Sequence, residues 1–242
     1  MAIQLSPDGH HWWDGSRWLP LSDDGRWRWD GSGWLAVGVV GDIDLLVCFD
    51  TTGSMEDKIP SLVAQTANFV HSAAASQFSI RWALIAFGDL RVTGDKIVKY
   101  PFTTSTPEFV SALRRMPRFS GGGNTGETSL DALYAAARHQ DWSSRSIRMC
   151  VLITDEPPVG LEVDLEMVGQ AMREQKIVAF CVGPEHRAYR WLAQVTGGDF
   201  WDIYERVPFE QILERLAKRM VKVAEKLRPM LSAGRPPPAL KG

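Results

Sequence analysis

Runs of apolar residues that are as long as a β-strand constrain the fold of this chain more than any other feature. Residues 43–49, 147–153 and 177–182 are almost wholly apolar, and each run is separated from the next by helix-length segments. A strand that is apolar on both faces has to be covered on both faces, which is typical of parallel sheets. The alternation predicts an α/β fold with a doubly wound, mostly parallel central sheet and helices on both faces.

The first 38 residues follow a different pattern and predict a separate small unit. They hold six of the ten Trp residues, and the segment Ser6–Leu21 is repeated 16 residues later as Ser22–Val37, with the shared pattern S-x-D-G-x-x-x-W-D-G-S-x-W-L. Asp-Gly pairs favour tight hairpin connections because Gly accepts a positive φ. We therefore predict a Trp-rich antiparallel β meander over residues 1–38, whose Trp rings mostly form its core. Any exposed Trp could bind a Pro-rich peptide, and Arg235–Pro238 of this chain is one such segment.

Composition narrows the classes of partner. A net charge of -2 gives no long-range attraction to nucleic acid or to an anionic membrane. Neither a signal peptide nor an apolar stretch of transmembrane length is visible. The three Cys residues lie inside apolar runs, so we expect reduced cysteines and a cytoplasmic protein. The main domain is predicted to span residues 42–228, followed by a flexible Pro-rich tail over residues 229–242.

Oxygen-bearing side chains follow two of the apolar runs. Asp50 ends the first run and is followed by Thr52 and Ser54, and Asp155 follows the run at 147–153. Between them lies the Gly-rich loop "FSGGGNTGETSLDAL". The carboxyl ends of neighbouring parallel strands meet at one edge of a sheet, where ligands bind. Carboxylates, hydroxyls and a pliable loop in one place suit a hard divalent cation such as Mg²⁺.

These motifs resemble those of von Willebrand factor A domains, in the branch that writes its first motif as DTTGSM. The resemblance covers roughly residues 42–225 and implies a metal-ion-dependent adhesion site. Asp50, Thr52 and Ser54 match its first motif, Asp155 matches its last, and Thr125 is the choice for the loop ligand, with Asn124 as the rival. The implied cation is Mg²⁺, with Mn²⁺ or Ca²⁺ as alternatives. The implied function is capture of an Asp or Glu carboxylate of a partner protein, without catalysis.

Several alternatives remain open at this point. Ser54 could simply cap a helix. The same Asp, Thr and Ser side chains could serve a metal-dependent phosphoryl-transfer or hydrolytic enzyme, although no well-placed general base accompanies them. Glu127 and Glu156 could tune the site, but solvated surface acids are the simpler interpretation, and Asp131 is interpreted as a surface acid near a helix N-terminus.

Overall fold

The computed structural model describes residues 4–23, 27–36, 43–65, 80–123, 125–139, 141–143 and 146–232. The Pro-rich segment at residues 235–238 therefore lies outside the described residues, and so do the junction at residues 37–42 and the loop residue Asn124. The predicted domain boundaries stay predictions.

The N-terminal repeats form two small antiparallel hairpins. Their strands are β1 (His11–Trp13), β2 (Trp18–Pro20), β3 (Trp27–Trp29) and β4 (Trp34–Ala36). Within each hairpin two Trp rings pack against each other, with centroids 5.3 Å apart for Trp13 and Trp18 and 5.5 Å apart for Trp29 and Trp34. The indole N–H of Trp12 donates to the main-chain oxygen of Trp29 at 3.0 Å, which ties the two repeats together.

The hairpin connections are longer than the two-residue turns that the Asp-Gly pairs predict. Four residues, Asp14 to Arg17, separate β1 from β2. The Asp14 carboxylate accepts hydrogen bonds from the main-chain N–H groups of Ser16 and Arg17 at 2.7 and 2.8 Å, and Gly15 has a φ of 103°. The Asp therefore closes a four-residue loop with its side chain. Trp18 is 42% exposed, and binding of a Pro-rich peptide to this unit stays a prediction.

A six-stranded sheet forms the centre of the main domain, in the order β10-β9-β8-β5-β6-β7. Its strands are β5 (Ile43–Asp50), β6 (Ile80–Phe87), β7 (Ile97–Thr103), β8 (Ile147–Ile153), β9 (Ile177–Gly183) and β10 (Phe200–Asp202). All neighbouring pairs are parallel except β6 and β7. The mostly parallel α/β fold is thus confirmed, with one antiparallel strand at the edge.

Helices cover both faces of this sheet. They are a 3-10 helix (Gly53–Lys58), α1 (residues 59–65 of the described part), α2 (Thr106–Arg114), α3 (Ser129–His139), α4 (Leu165–Glu174), α5 (Arg187–Thr196) and α6 (Phe209–Ser232). Helix α2 is capped by Ser105, whose hydroxyl accepts from the N–H of Glu108, and not by Thr106 as the sequence suggests. Helix α6 runs past the predicted end near Leu227 to Ser232.

The strand β5 shows why its sequence is apolar throughout. Leu45, Val47 and Phe49 point into the core that α2 and α6 close, whereas Leu46 and Cys48 point into the core that α3, α4 and α5 close. All five side chains are buried. The strand is therefore held at the middle of the domain, and its carboxyl end is fixed in place.

Candidate metal centre

Two neighbouring strands deliver the candidate ligands to one edge of the sheet. Strands β5 and β8 are adjacent and parallel, and Phe49 is in register with Ile153. Asp50 comes directly after Phe49, and Asp155 comes two residues after Ile153. The expectation that both carboxylates emerge at the same edge is therefore confirmed.

A chain of hydrogen bonds links the four side chains that we call the oxygen cage: Asp50, Thr52, Ser54 and Asp155. Oδ1 of Asp50 accepts from the main-chain N–H and the hydroxyl of Thr52, at 2.9 and 2.7 Å. The hydroxyls of Thr52 and Ser54 lie 3.4 Å apart, and the Ser54 hydroxyl donates to Oδ1 of Asp155 at 2.9 Å. The structure thus brings together four of the five predicted site residues.

The helix-capping interpretation of Ser54 is wrong. The 3-10 helix after β5 has Thr52 at its N-cap position, and no side chain accepts a capping hydrogen bond there. The hydroxyl of Ser54 is instead directed at Asp155, 101 residues further along the chain. A hydroxyl used in this way serves a tertiary site and not the local helix.

The cage concentrates negative charge in a buried place. The Asp50 side chain is fully buried and Asp155 is 8% exposed. Burial raises the pKa of Asp50, hydrogen bonds from Thr154 and Thr52 lower it, and the nearby Asp155 charge raises it further. Within the described residues neither carboxylate forms an ion pair with Lys or Arg. Buried carboxylates of this kind are typically balanced by a cation.

Two polar residues of the site could not be assigned from the sequence. Thr154 donates its hydroxyl to Oδ2 of Asp50 at 2.6 Å, and its position just before Asp155 at a strand end was the available signal. Glu127, interpreted above as a surface acid, is only 4% exposed, and its Oε2 has no hydrogen-bond partner. Burial is the main reason that its pKa rises to about 8, and the charges of Asp50 and Asp89 add to the effect.

Glu127 borders the cage across Gly121. A Cβ atom added to Gly121 would lie 3.1 Å from Oε1 of Glu127 and 3.2 Å from Cγ2 of Thr52. The absence of a side chain at Gly121 therefore lets the loop pass between these two residues. Gly121 also has a φ of 61°, a conformation that favours glycine.

Residues of the segment after β8 hold the Gly-rich loop. The Glu156 carboxylate accepts from the N–H of Gly126 at 3.1 Å. Asp131, interpreted as a surface acid, is 7% exposed and accepts from the main-chain N–H groups of Leu161 and Glu162 at 2.7 and 3.0 Å. Asp131 therefore anchors this segment, and the surface interpretation was wrong.

The loop ligand stays a prediction. Thr125 is exposed and takes part in none of the hydrogen bonds described for the cage, and its rival Asn124 lies outside the described residues. Nowhere in the described ranges do three or more His, Cys, Asp or Glu side chains cluster as metal ligands would. The cage instead combines two carboxylates with hydroxyl oxygens, a donor set that suits Mg²⁺ better than softer metals.

A comparison with protein families decides the classification. The model of the von Willebrand factor type A domain matches residues 44–211, which include β5, β8 and the whole cage. The chain belongs to the von Willebrand factor type A domain family. Such vWA domains generally act as protein-interaction modules and are typically not enzymes.

One solved structure gives an independent view of the fold. Proximal thread matrix protein 1 (PTMP1) from the mussel byssus is similar to this chain with a TM-score of 0.57 and 16% sequence identity. The alignment covers 78% of this chain and 47% of that one. At this identity the likeness supports the vWA fold alone. No curated protein sequence matches the chain.

Among the helices of the described segments, none has both the length and the apolar character that crossing a bilayer requires.

Proposed function

We propose that this vWA domain is a Mg²⁺-dependent protein-interaction module that captures an acidic residue of a partner protein. Asp50 and Asp155 would provide negative charge to the cation, and the hydroxyls of Thr52 and Ser54 would complete the protein's share of the ligands. Thr125 is our candidate for the loop ligand. Mn²⁺ and Ca²⁺ are alternatives to Mg²⁺.

One observation carries this proposal. The cage gathers two buried carboxylates and two hydroxyls into one hydrogen-bonded chain, and no basic side chain among the described residues pairs with those carboxylates. The hydrogen bond from Ser54 to Asp155 and the one from Thr52 to Asp50 keep these oxygens together. Buried carboxylates that repel each other cost free energy unless a cation or a proton offsets their charge.

The chain's own residues favour binding over turnover. A divalent cation in this site would supply a positive charge and an open coordination position for a partner's carboxylate. Tyr204 stands beside that opening: its ring is 63% exposed, and its hydroxyl donates to the main-chain oxygen of Asp155 at 2.9 Å. Exposed aromatic residues beside a polar centre are typical of protein interfaces.

The test compares the full chain with two variants of equal charge change. Asp50→Asn removes a cage carboxylate, whereas Asp57→Asn removes one that is 79% exposed and lies three residues beyond Ser54. The wild type and Asp57→Asn should capture the same lysate protein in Mg²⁺ but not in EDTA, and Asp50→Asn should capture it in neither buffer. Capture that is indifferent to both EDTA and Asp50→Asn would contradict the proposal.

Loss of capture needs to be separated from loss of folding. Circular dichroism of Asp50→Asn in EDTA should match that of the wild type in EDTA. Addition of Mg²⁺ should raise the melting temperature of the wild type and of Asp57→Asn but not that of Asp50→Asn, because only a cation that binds the folded state stabilises it.

A further inference from the structure

A groove opens on the surface between the start of α1 and the C-terminal end of α2. One wall is apolar and contains Ile59, Pro60 and Val63, and the other wall carries Arg114 and Arg118. Its volume is about 610 Å³, enough space for several side chains of a bound peptide.

This groove begins next to the oxygen cage. Thr52 pairs with Phe119 through an isolated parallel bridge, and the N–H of Phe119 donates to the main-chain oxygen of Thr51 at 3.0 Å. Arg118 immediately precedes Phe119. On the other wall, α1 continues directly from the 3-10 helix that contains Ser54. Both walls are therefore joined to the cage through the backbone.

The groove carries an excess of positive charge. Its only acidic lining residue, Glu56, lies 3.7 Å from Arg118, and the two side chains are 70% and 41% exposed. A pair that is so exposed is weak, so a carboxylate from a partner can share the Arg118 guanidinium. Arg114 is also exposed, and it forms no ion pair within the part of the chain that the structure describes.

We propose that this groove binds the segment of the partner that flanks its metal-binding residue, and that this segment presents an aliphatic side chain and a second acidic side chain. The inference rests on the proposed function, because the first acidic residue is the one that reaches the cage. The aliphatic side chain packs against Pro60 and Val63, and the second carboxylate pairs with Arg114 and Arg118. The partner is thus an acidic segment with two separated carboxylates and not any exposed Asp or Glu.

The test uses an array of short Gly-Ser peptides as defined probes. One set contains a single Asp, and the other contains an Asp, a Leu and a Glu at increasing separations. The full chain is applied in Mg²⁺ and in EDTA. At the best separation we expect the peptide with two acids to bind about tenfold more tightly than the single-Asp peptide in Mg²⁺, as for a charge pair supported by apolar contact.

Two variants with the same charge change locate the effect. Arg118→Glu should remove the tenfold gain, because it places a negative charge in the groove. Arg115→Glu changes an exposed neighbour that does not line the groove, and it should leave the gain in place. Both variants should bind the single-Asp peptide as the wild type does, which shows that they remain folded.

The outcomes separate this inference from the proposed function. If the single-Asp peptide binds in Mg²⁺ but a second acid gives no gain at any separation, or if both variants lose the gain equally, the inference is overturned and the proposed function stands. If peptides with two acids bind equally in Mg²⁺ and EDTA, the proposed function fails. No binding of any peptide in either buffer contradicts both.

Discussion

Replacing Glu127 by Gln should stabilise the metal-free protein, and the gain should grow with pH. In the folded chain burial and neighbouring carboxylates raise the pKa of Glu127 from 4.5 to about 8. In the unfolded chain the same carboxyl ionises near its ordinary value. Between these two values the folded state holds a proton that the unfolded state has lost, so stability falls as the pH rises through this window.

The size of the effect follows from the width of the window. One pKa unit corresponds to 1.36 kcal/mol, so the ionised carboxyl costs the folded state about 5 kcal/mol at pH 9 and about 1 kcal/mol at pH 5. Gln has nearly the same shape and does not ionise. The stability of Glu127→Gln relative to the wild type should therefore be greater at pH 9 than at pH 5 by about 4 kcal/mol.

Urea unfolding in EDTA at the two pH values measures this difference directly. Glu185→Gln is the control, because Arg190 lowers the pKa of Glu185 and its removal should change stability in the opposite direction. If Glu127→Gln gave the same stability change at pH 5 and pH 9, to within about 1 kcal/mol, the burial argument would be refuted. In excess Mg²⁺ the advantage of the variant should shrink, since a cation in the cage offsets the same repulsion.

Two further predictions concern the groups that hold the fold around the site. Arg81→Ala should lower the free energy of unfolding by about 3 kcal/mol, because it leaves the fully buried Asp44 carboxylate without its ion pair, whereas Arg190→Ala at an exposed pair should change little in the same urea titration. Gly126→Ala should cost about 2 kcal/mol, since its φ is 88° and an added Cβ would lie 2.5 Å from a neighbouring side chain. Gly123→Ala, at a φ of 62° in open space, should cost only about 1 kcal/mol in thermal unfolding. Equal effects within either pair of variants would contradict these assignments.

Much of the fold and part of the site were predictable from local patterns. The apolar runs identified β5, β8 and β9 to within a residue at each end, because a strand buried on both faces has few other compositions. The placement of Asp50 and Asp155 at strand ends then followed from the parallel sheet. The antiparallel pairing of β7 was not predicted, since its alternating burial is compatible with either direction at a sheet edge.

The acidic residues of the Gly-rich segment show where local patterns were insufficient. Glu127 and Asp131 lie near the start of α3, where an acidic residue is most often solvated and interacts with the helix dipole. In the structure the segment after β8 packs over both of them. The N–H of Glu127 donates to the main-chain oxygen of Pro157 at 3.1 Å, and the N–H of Leu161 donates to Asp131 at 2.7 Å.

The sequence by itself determined the type of sheet and the presence of oxygen ligands at two strand ends. Both follow from short-range patterns, because periodicity dictates which faces of a strand must be buried. Only the tertiary structure decided which acids are buried, that Ser54 serves Asp155 and not a helix cap, and that a basic groove adjoins the cage. Burial and charge at one residue depend on segments that pack against it from about 30 to 100 positions away, and no local pattern contains that information.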